Sequence, residues 1–142
     1  MSENLIIRHC APTLAGIKTG NLFTASYDSI EQLDDEIRRM NTRLKDKGLR
    51  IVRLRAKANR ALIYVYRPDK LADDLEHRDA KAILARSGYR QAAESAEHID
   101  MLSKRIEDSP EFPHEIGLFL GYPPEDVKGF IEWSANKKSM TF

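Results

Sequence analysis

Ile30, Leu33, Ile37, Met40 and Leu44 recur at steps of three, four, three and four. That is the repeat of one face of a 3.6-residue helix, and it predicts a helix over residues 29–47. Asp28 and Ser29 are N-cap candidates, each followed three residues on by Glu31 or Gln32, the spacing of a capping box. Gly48 follows the last apolar position, where a left-handed residue is expected to close the helix.

The period then changes to two. Val52, Leu54, Ala56 and Ala58 alternate with Ile51, Arg53, Arg55 and Lys57, predicting a strand with one apolar and one basic face. Ala61-Leu62-Ile63-Tyr64-Val65-Tyr66 is apolar throughout and rich in strand-forming residues, as a central strand covered on both faces should be. Lys57-Ala58-Asn59-Arg60 between them is short and polar enough for a hairpin turn, Asn59 tolerating positive φ. Residues 21–27 read as a third strand ahead of the helix. The order strand-helix-strand-strand implies a small mixed sheet of about three strands.

From Pro68 onward the pattern is helical. Leu71 and Leu75, then Ala80, Ile83 and Leu84, lead to a stop at Ser87-Gly88. Ala92, Ala96, Ile99, Leu102 and Ile106 mark another helix, ending before Ser109-Pro110. Two short helices, over residues 113–120 and 124–133, meet at Gly121-Tyr122-Pro123 and form a packing corner expected to bury Phe119, Val127, Phe130 and Trp133. Residues 1–10 fit a short helix broken before Pro12, with a strand as the alternative. The fold class is therefore α+β, with a helical C-terminal half, one domain over residues 1–133 and a loose polar tail over 134–142.

Composition narrows the setting. The 142 residues hold 23 basic and 22 acidic side chains, with 42% apolar and 32% charged, the balance of an ordinary globular domain. Cys10 is the single cysteine, so no disulfide closes within the chain, which suits a reducing compartment and excludes Cys-rich zinc modules. The apolar runs fall far short of the roughly 20 residues of a membrane span. Met1-Ser2-Glu3-Asn4 lacks the basic start of a secretory signal. The expectation is a cytoplasmic protein with no membrane segment and no cofactor.

Three groups of residues have chemical potential. Cys10 lies beside His9, and His114 beside Glu115 at a predicted helix start. If these two places meet, they offer a thiol dyad or a three-ligand metal site. Against this stands the common fate of a lone cysteine as a small buried hydrophobe. The spacing follows no compact metal-ligand pattern, so no metal is assigned. His77 and His98 lie in charged helical surroundings and read as surface residues. The second group is basic: residues 38–60 hold ten Lys and Arg against one acid, Asp46. Arg53, Arg55 and Lys57 share one strand face with Arg60 just past the turn, an anion-binding candidate. Solvation, or pairing with Asp69, Asp73, Asp74 and Glu76, is the plainer explanation. Nucleic acid is disfavoured by the net charge of +1 and by a basic face without interleaved aromatics. The third is the final helix pair, whose spacing approaches a helix-turn-helix. Its second helix offers Glu125, Asp126 and Glu132 against Lys128, which would repel a phosphate backbone.

Two stretches, His9-Cys10-Ala11-Pro12-Thr13-Leu14-Ala15-Gly16-Ile17-Lys18 and Phe112-Pro113-His114-Glu115-Ile116-Gly117-Leu118-Phe119-Leu120-Gly121-Tyr122-Pro123, together with Tyr64-Val65-Tyr66-Arg67-Pro68, carry a likeness. The chain resembles the bacterial family catalogued as domain of unknown function 3793 over most of residues 5–131. The resemblance implies no activity, substrate or cofactor. Members of that family continue past the position of Ile131 with a strand-like aromatic segment, a further helix and a late cysteine, and this chain departs from that pattern. If the segment adds a strand, the sheet here keeps an open edge, and either a homodimer through that edge or a looser, partly exposed edge is expected.

Three readings stay open. One is a non-enzymatic binding or accessory domain, with a pocket or partner surface for a protein or small ligand made by residues 9–18 and 112–123. The others are a thiol- or metal-dependent enzyme using Cys10 and His114, and a phosphate or nucleic-acid binder on the Arg53-to-Arg60 face.

Overall fold

The computed structural model describes residues 3–91, 94–109 and 111–139. Helix α1 (Glu3–Leu14) leads to strand β1 (Gly20–Ser26) and helix α2 (Ile30–Leu44), which tightens into a 3-10 turn over Lys45–Lys47. Strands β2 (Arg50–Lys57) and β3 (Arg60–Tyr66) follow. Then come helices α3 (Pro68–Glu76), α4 (Arg78–Arg86), α5 (Ser95–Asp108), α6 (Ile116–Leu120) and α7 (Pro124–Ser139).

The α+β class and the strand-helix-strand-strand order match the sequence reading. The pairing does not, because the sheet is antiparallel throughout rather than mixed, in the order β1-β3-β2. β1 and β2 run parallel to each other, as a strand-helix-strand crossover requires. The returning arm of the hairpin then inserts between them and separates the two parallel strands.

Local chemistry explains the elements. Ser29 caps α2 by accepting a hydrogen bond from the Gln32 backbone N–H at 3.0 Å. Gly48 closes the following turn at φ 74°. The hairpin turns on Ala58 (φ 52°) and Asn59 (φ 63°), the double positive φ of the tight turn whose twist matches its strands. Helix α1 is kinked at Cys10 (φ −121°, ψ 17°), two residues before Pro12, whose ring cannot fit against the preceding turn. The helical stretch after Pro68 breaks at His77 (ψ 134°), whose Nδ1 accepts from the Asp79 N–H at 3.2 Å and starts α4. Helix α7 runs on to Ser139 through most of the stretch expected as a loose tail. Ala92 and Pro110, used above to place helix ends, lie outside the described residues.

The buried residues of β3 alternate between two cores. Leu62, Tyr64 and Tyr66 join Leu71, Leu75, Ile83, Leu102, Ile106, Phe119 and Val127 in a core under the C-terminal helices. Ala61, Ile63 and Val65 join Ile6, Cys10, Leu33, Ile37 and Met40 in a second core under α1 and α2. The sheet is the middle of three layers.

The outer edge of β2 is blunted by side chains. Asn41 of α2 donates through Nδ2 to the Ile51 carbonyl (2.9 Å) and accepts from the Ile51 N–H through Oδ1 (2.7 Å), as a neighbouring strand would. Ser103 of α5 donates to the Leu54 carbonyl at 2.6 Å. Leu54 is the extra residue of a β-bulge, since Arg53 pairs with Ile63 and Arg55 with Leu62. Such devices cover an edge that would otherwise invite a further strand.

Two stability measurements follow. Asn41→Ala leaves both Ile51 backbone groups without their partner and should cost about 2 kcal/mol in urea unfolding. An unchanged midpoint would show the edge to be satisfied by water. Ala58→Gly removes left-handed strain of about 1–2 kcal/mol, offset in part by added freedom of the unfolded chain, so it should stabilise by roughly 0.5–1 kcal/mol.

Candidate functional site

Cys10 sits at the kink of α1 with 0% of its surface exposed, packed in the core beneath α1 and α2. Burial pushes its thiol up to about 11, and the opposing charge of Lys18 offsets this only in part. His9, its neighbour, is exposed and lays its ring parallel to Phe23, with centroids 5.6 Å apart. The kink sends adjacent side chains in different directions.

His114 and Glu115 belong to the opposite face of the sheet. The half-buried His114 ring meets Phe130 edge-on at 5.1 Å. Glu115 is 2% exposed and is held by Arg105, whose Nε and Nη2 donate to the two carboxylate oxygens, the second at 3.3 Å. The Tyr89 hydroxyl donates to the same carboxylate at 3.1 Å, and the Arg105 guanidinium lies over the Tyr89 ring at 5.8 Å. Burial and the adjacent carboxylate both keep the Tyr89 phenol protonated, and Glu115 holds Arg105 firmly charged. Glu115 is thus tied into an internal ion pair that joins α5 to α6. The structure does not bring Cys10 together with His114 or Glu115, because the sheet stands between them.

The two motifs do touch, at other residues. Lys18 Nζ lies 5.6 Å from the centroid of the Tyr122 ring. A Cβ on Gly121 (φ 96°) would fall 2.9 Å from Thr19 Oγ1, and one on Gly20 would fall 2.9 Å from the Phe119 carbonyl. That carbonyl accepts the hydroxyl of Tyr64, and the Thr19 hydroxyl donates to Asp74. Glycine at both positions lets β1 lie directly against the α6 turn.

Arg67, where β3 ends, is the fastening of the other face. Its Nε and Nη2 donate to the Thr13 and Leu14 carbonyls (2.8 and 2.7 Å), and its Nη1 to the Lys47 carbonyl (3.2 Å). One guanidinium therefore serves carbonyls at the C-terminal ends of both α1 and the 3-10 turn.

The basic stripe is not one face. The bulge at Leu54 inverts the alternation, so Arg53 points toward α2 while Arg55 shares the face of Leu62. Arg53 donates through Nε and Nη2 to the Asp34 carboxylate (2.9 and 3.1 Å), which holds the guanidinium charged. Arg55 lies over the Phe112 ring at 5.8 Å. Arg60 donates to Ser26 Oγ and Thr24 Oγ1 (3.1 and 2.8 Å), and Lys57 is exposed.

Residues 112–123 do make a surface feature. An open groove of about 620 Å³ runs between the α6 segment and α7, lined chiefly by Phe112, His114, Ile116, Leu120, Tyr122 and Phe130. Of the four residues expected in the corner's core, Phe119 and Val127 are buried, but Phe130 and Trp133 are 51% and 56% exposed. Val127 and Ile131 form the inward side of α7. Phe130 lies about a quarter-turn away from it and Trp133 more than a third of a turn, and the two rings stack at 5.8 Å. Phe112 and Tyr122 are also about half exposed.

Among the described residues, no three His, Cys, Asp or Glu are grouped to hold a metal ion, and no helix is long and apolar enough to cross a membrane. The sequence reading missed Arg67, Arg105, Asn41 and Asp34. Each acts through a partner that no local pattern identifies.

The buried thiol gives a direct test. Near pH 8 a pKa of about 11 in place of 9.0 leaves roughly a hundredfold less thiolate. Iodoacetamide should therefore label Cys10 at least a hundredfold more slowly in the native protein than in urea. Labelling at equal rates would mean an accessible, ionised thiol.

No curated protein and no solved structure matches the chain. The family model described as "Protein of unknown function (DUF3793)" matches residues 6–141, nearly the whole chain, and by that match the protein belongs to this family.

Proposed function

We propose that the protein is a cytoplasmic, non-enzymatic binding domain that takes an apolar, helical segment of a protein partner into the groove between α6 and α7. The observation that carries this reading is the convergence of half-exposed Phe112, Tyr122 and Phe130 on one open groove of about 620 Å³. Aromatic side chains offered to solvent together are the usual anchors of protein recognition. Scattered apolar residues on a surface need no such explanation, whereas a shared groove does. Glu111 and Asp126 at its rim favour a segment with basic flanks.

Three of the groups that would support the other readings are already engaged within the fold. Cys10 is buried and protonated, Glu115 is paired with Arg105, and Arg53 is paired with Asp34. These arrangements favour a scaffold that presents a surface over one that turns over a substrate.

The apolar dye bis-ANS, titrated into dilute protein, is expected to bind saturably in the groove. Phe112→Ser with Phe130→Ser removes two half-exposed rings without touching either core, and should weaken binding at least tenfold with the unfolding temperature nearly unchanged. Equal dye affinity in the double variant would overturn the proposal.

A further inference from the structure

The two edges of the sheet end differently. On β2, Asn41 and Ser103 answer backbone groups of Ile51 and Leu54. On β1 the phase of pairing is fixed at both ends. The Arg67 N–H donates to the Thr19 carbonyl at 2.9 Å, and the Tyr27 N–H to the Asn59 carbonyl at 3.1 Å. Between them Asn21, Phe23 and Ala25 stand opposite Val65, Ile63 and Ala61 in the same phase. Bonded positions alternate along an antiparallel pair, so the N–H and C=O groups of Leu22, Thr24 and Ser26 point away from β3. β1 is an end strand, and among the described residues nothing bonds to those outward groups.

The edge also lacks protection. Gly20-Asn21-Leu22-Phe23-Thr24-Ala25-Ser26 holds no charged residue and no proline, and its register with β3 runs without a bulge. Charges, prolines and bulges are the devices that stop an edge from pairing. Thr24 and Ser26 are exposed.

We infer that this edge pairs with β1 of a second copy of the chain, antiparallel about a two-fold axis at Thr24. Two three-stranded sheets then become one of six strands. The strand suits its own reverse. Thr24 meets the partner's Thr24, a favourable cross-strand pair, and Leu22 meets the partner's Ser26, each pair exchanging both backbone bonds. On the face toward α1 the same register sets Phe23 beside the partner's Ala25, large against small, on both sides of the axis. Neither strand brings a charge of its own to repel the other, and one contact closes both open edges, as an isologous interface does. Arg60 reaches over β1 from β3, but its donors are engaged by Ser26 and Thr24 of its own chain. Salt at ordinary strength, with a screening length of about 10 Å, weakens the repulsion between the two guanidiniums. The inference does not depend on the α6–α7 groove being a binding site.

Sedimentation velocity over a concentration series should show a monomer–dimer equilibrium for the wild type. Thr24→Pro removes an outward N–H that β3 does not use, and should weaken the dimer at least tenfold. Thr24→Lys, which keeps that N–H but sets two ammonium groups face to face at the axis, should weaken it similarly. Thr24→Val keeps both the backbone donor and the branched side chain, and should stay within about threefold of wild type. Amide exchange followed by NMR locates the contact. Leu22, Thr24 and Ser26 should exchange fast in dilute protein and become protected as the dimer forms, whereas Phe23 and Ala25 should be protected throughout. A wild type that stays monomeric at every concentration overturns the inference and leaves the edge to water or to a strand of a different protein. A dimer that survives both Thr24→Pro and Thr24→Lys, or that forms without protecting Thr24, overturns it as well.

Discussion

A strand with no solvent face organises this molecule. From Ala61 to Tyr66 every residue of β3 is buried. A strand alternates its side chains, so each face of β3 requires its own cover, and the chain supplies α1 and α2 on one side and α3 to α7 on the other. Placing β3 in the centre also settles its backbone, since both of its edges pair along their length with β1 and β2. The two short outer strands are then left to be finished by side chains, and Asn41 and Ser103 do so for β2.

The polar interior follows from the same geometry. Three layers packed on one strand bring helix ends and strand exits together where water is scarce, and their carbonyls need donors. Arg67 meets that need at the α1 end and the Tyr64 hydroxyl at the Phe119 carbonyl. Glu115 and Arg105 pin the α6 turn to α5 in a similar way. Many of the ionisable groups that suggest chemistry in the sequence are thus fasteners between layers. Chemistry that a partner can reach lies instead in the aromatic side chains around the α6–α7 corner.

What the sequence revealed was local in origin. The α2 helix, its Ser29 cap, the Gly48 stop and the hairpin depend on residues within a few positions of each other, and period and turn chemistry report them directly. The bulge at Leu54 gave no such signal, because β2 alternates cleanly in sequence and only its pairing with β3 shows where the count slips. That slip moved Arg55 away from Arg53 and dissolved the basic face. Joining Cys10 to His114 failed for a related reason. Proximity to one sheet does not say which face a residue joins, and the two joined opposite ones. Phe130 and Trp133 were read as core because an apolar residue at helical spacing usually is, yet spacing alone does not choose between the two sides of α7 that Val127 and Phe130 mark.

That last difference bears on how α7 is held. Val127 is buried and Ile131 half-buried against the body of the protein, while α6 is only five residues long and reaches the core through Leu118 and Phe119. A sixteen-residue helix with so narrow an inward side leaves much of its apolar surface to water. Burying Phe130 and Trp133 against a neighbouring helix would add favourable area on the side where the fold contributes least, at about 25 cal/mol per Å² removed from water. An exposed aromatic pair costs a lone domain solubility, and a binding surface is the usual reason to keep one. The physical economy of α7 is therefore that of a helix shared between its own domain and another.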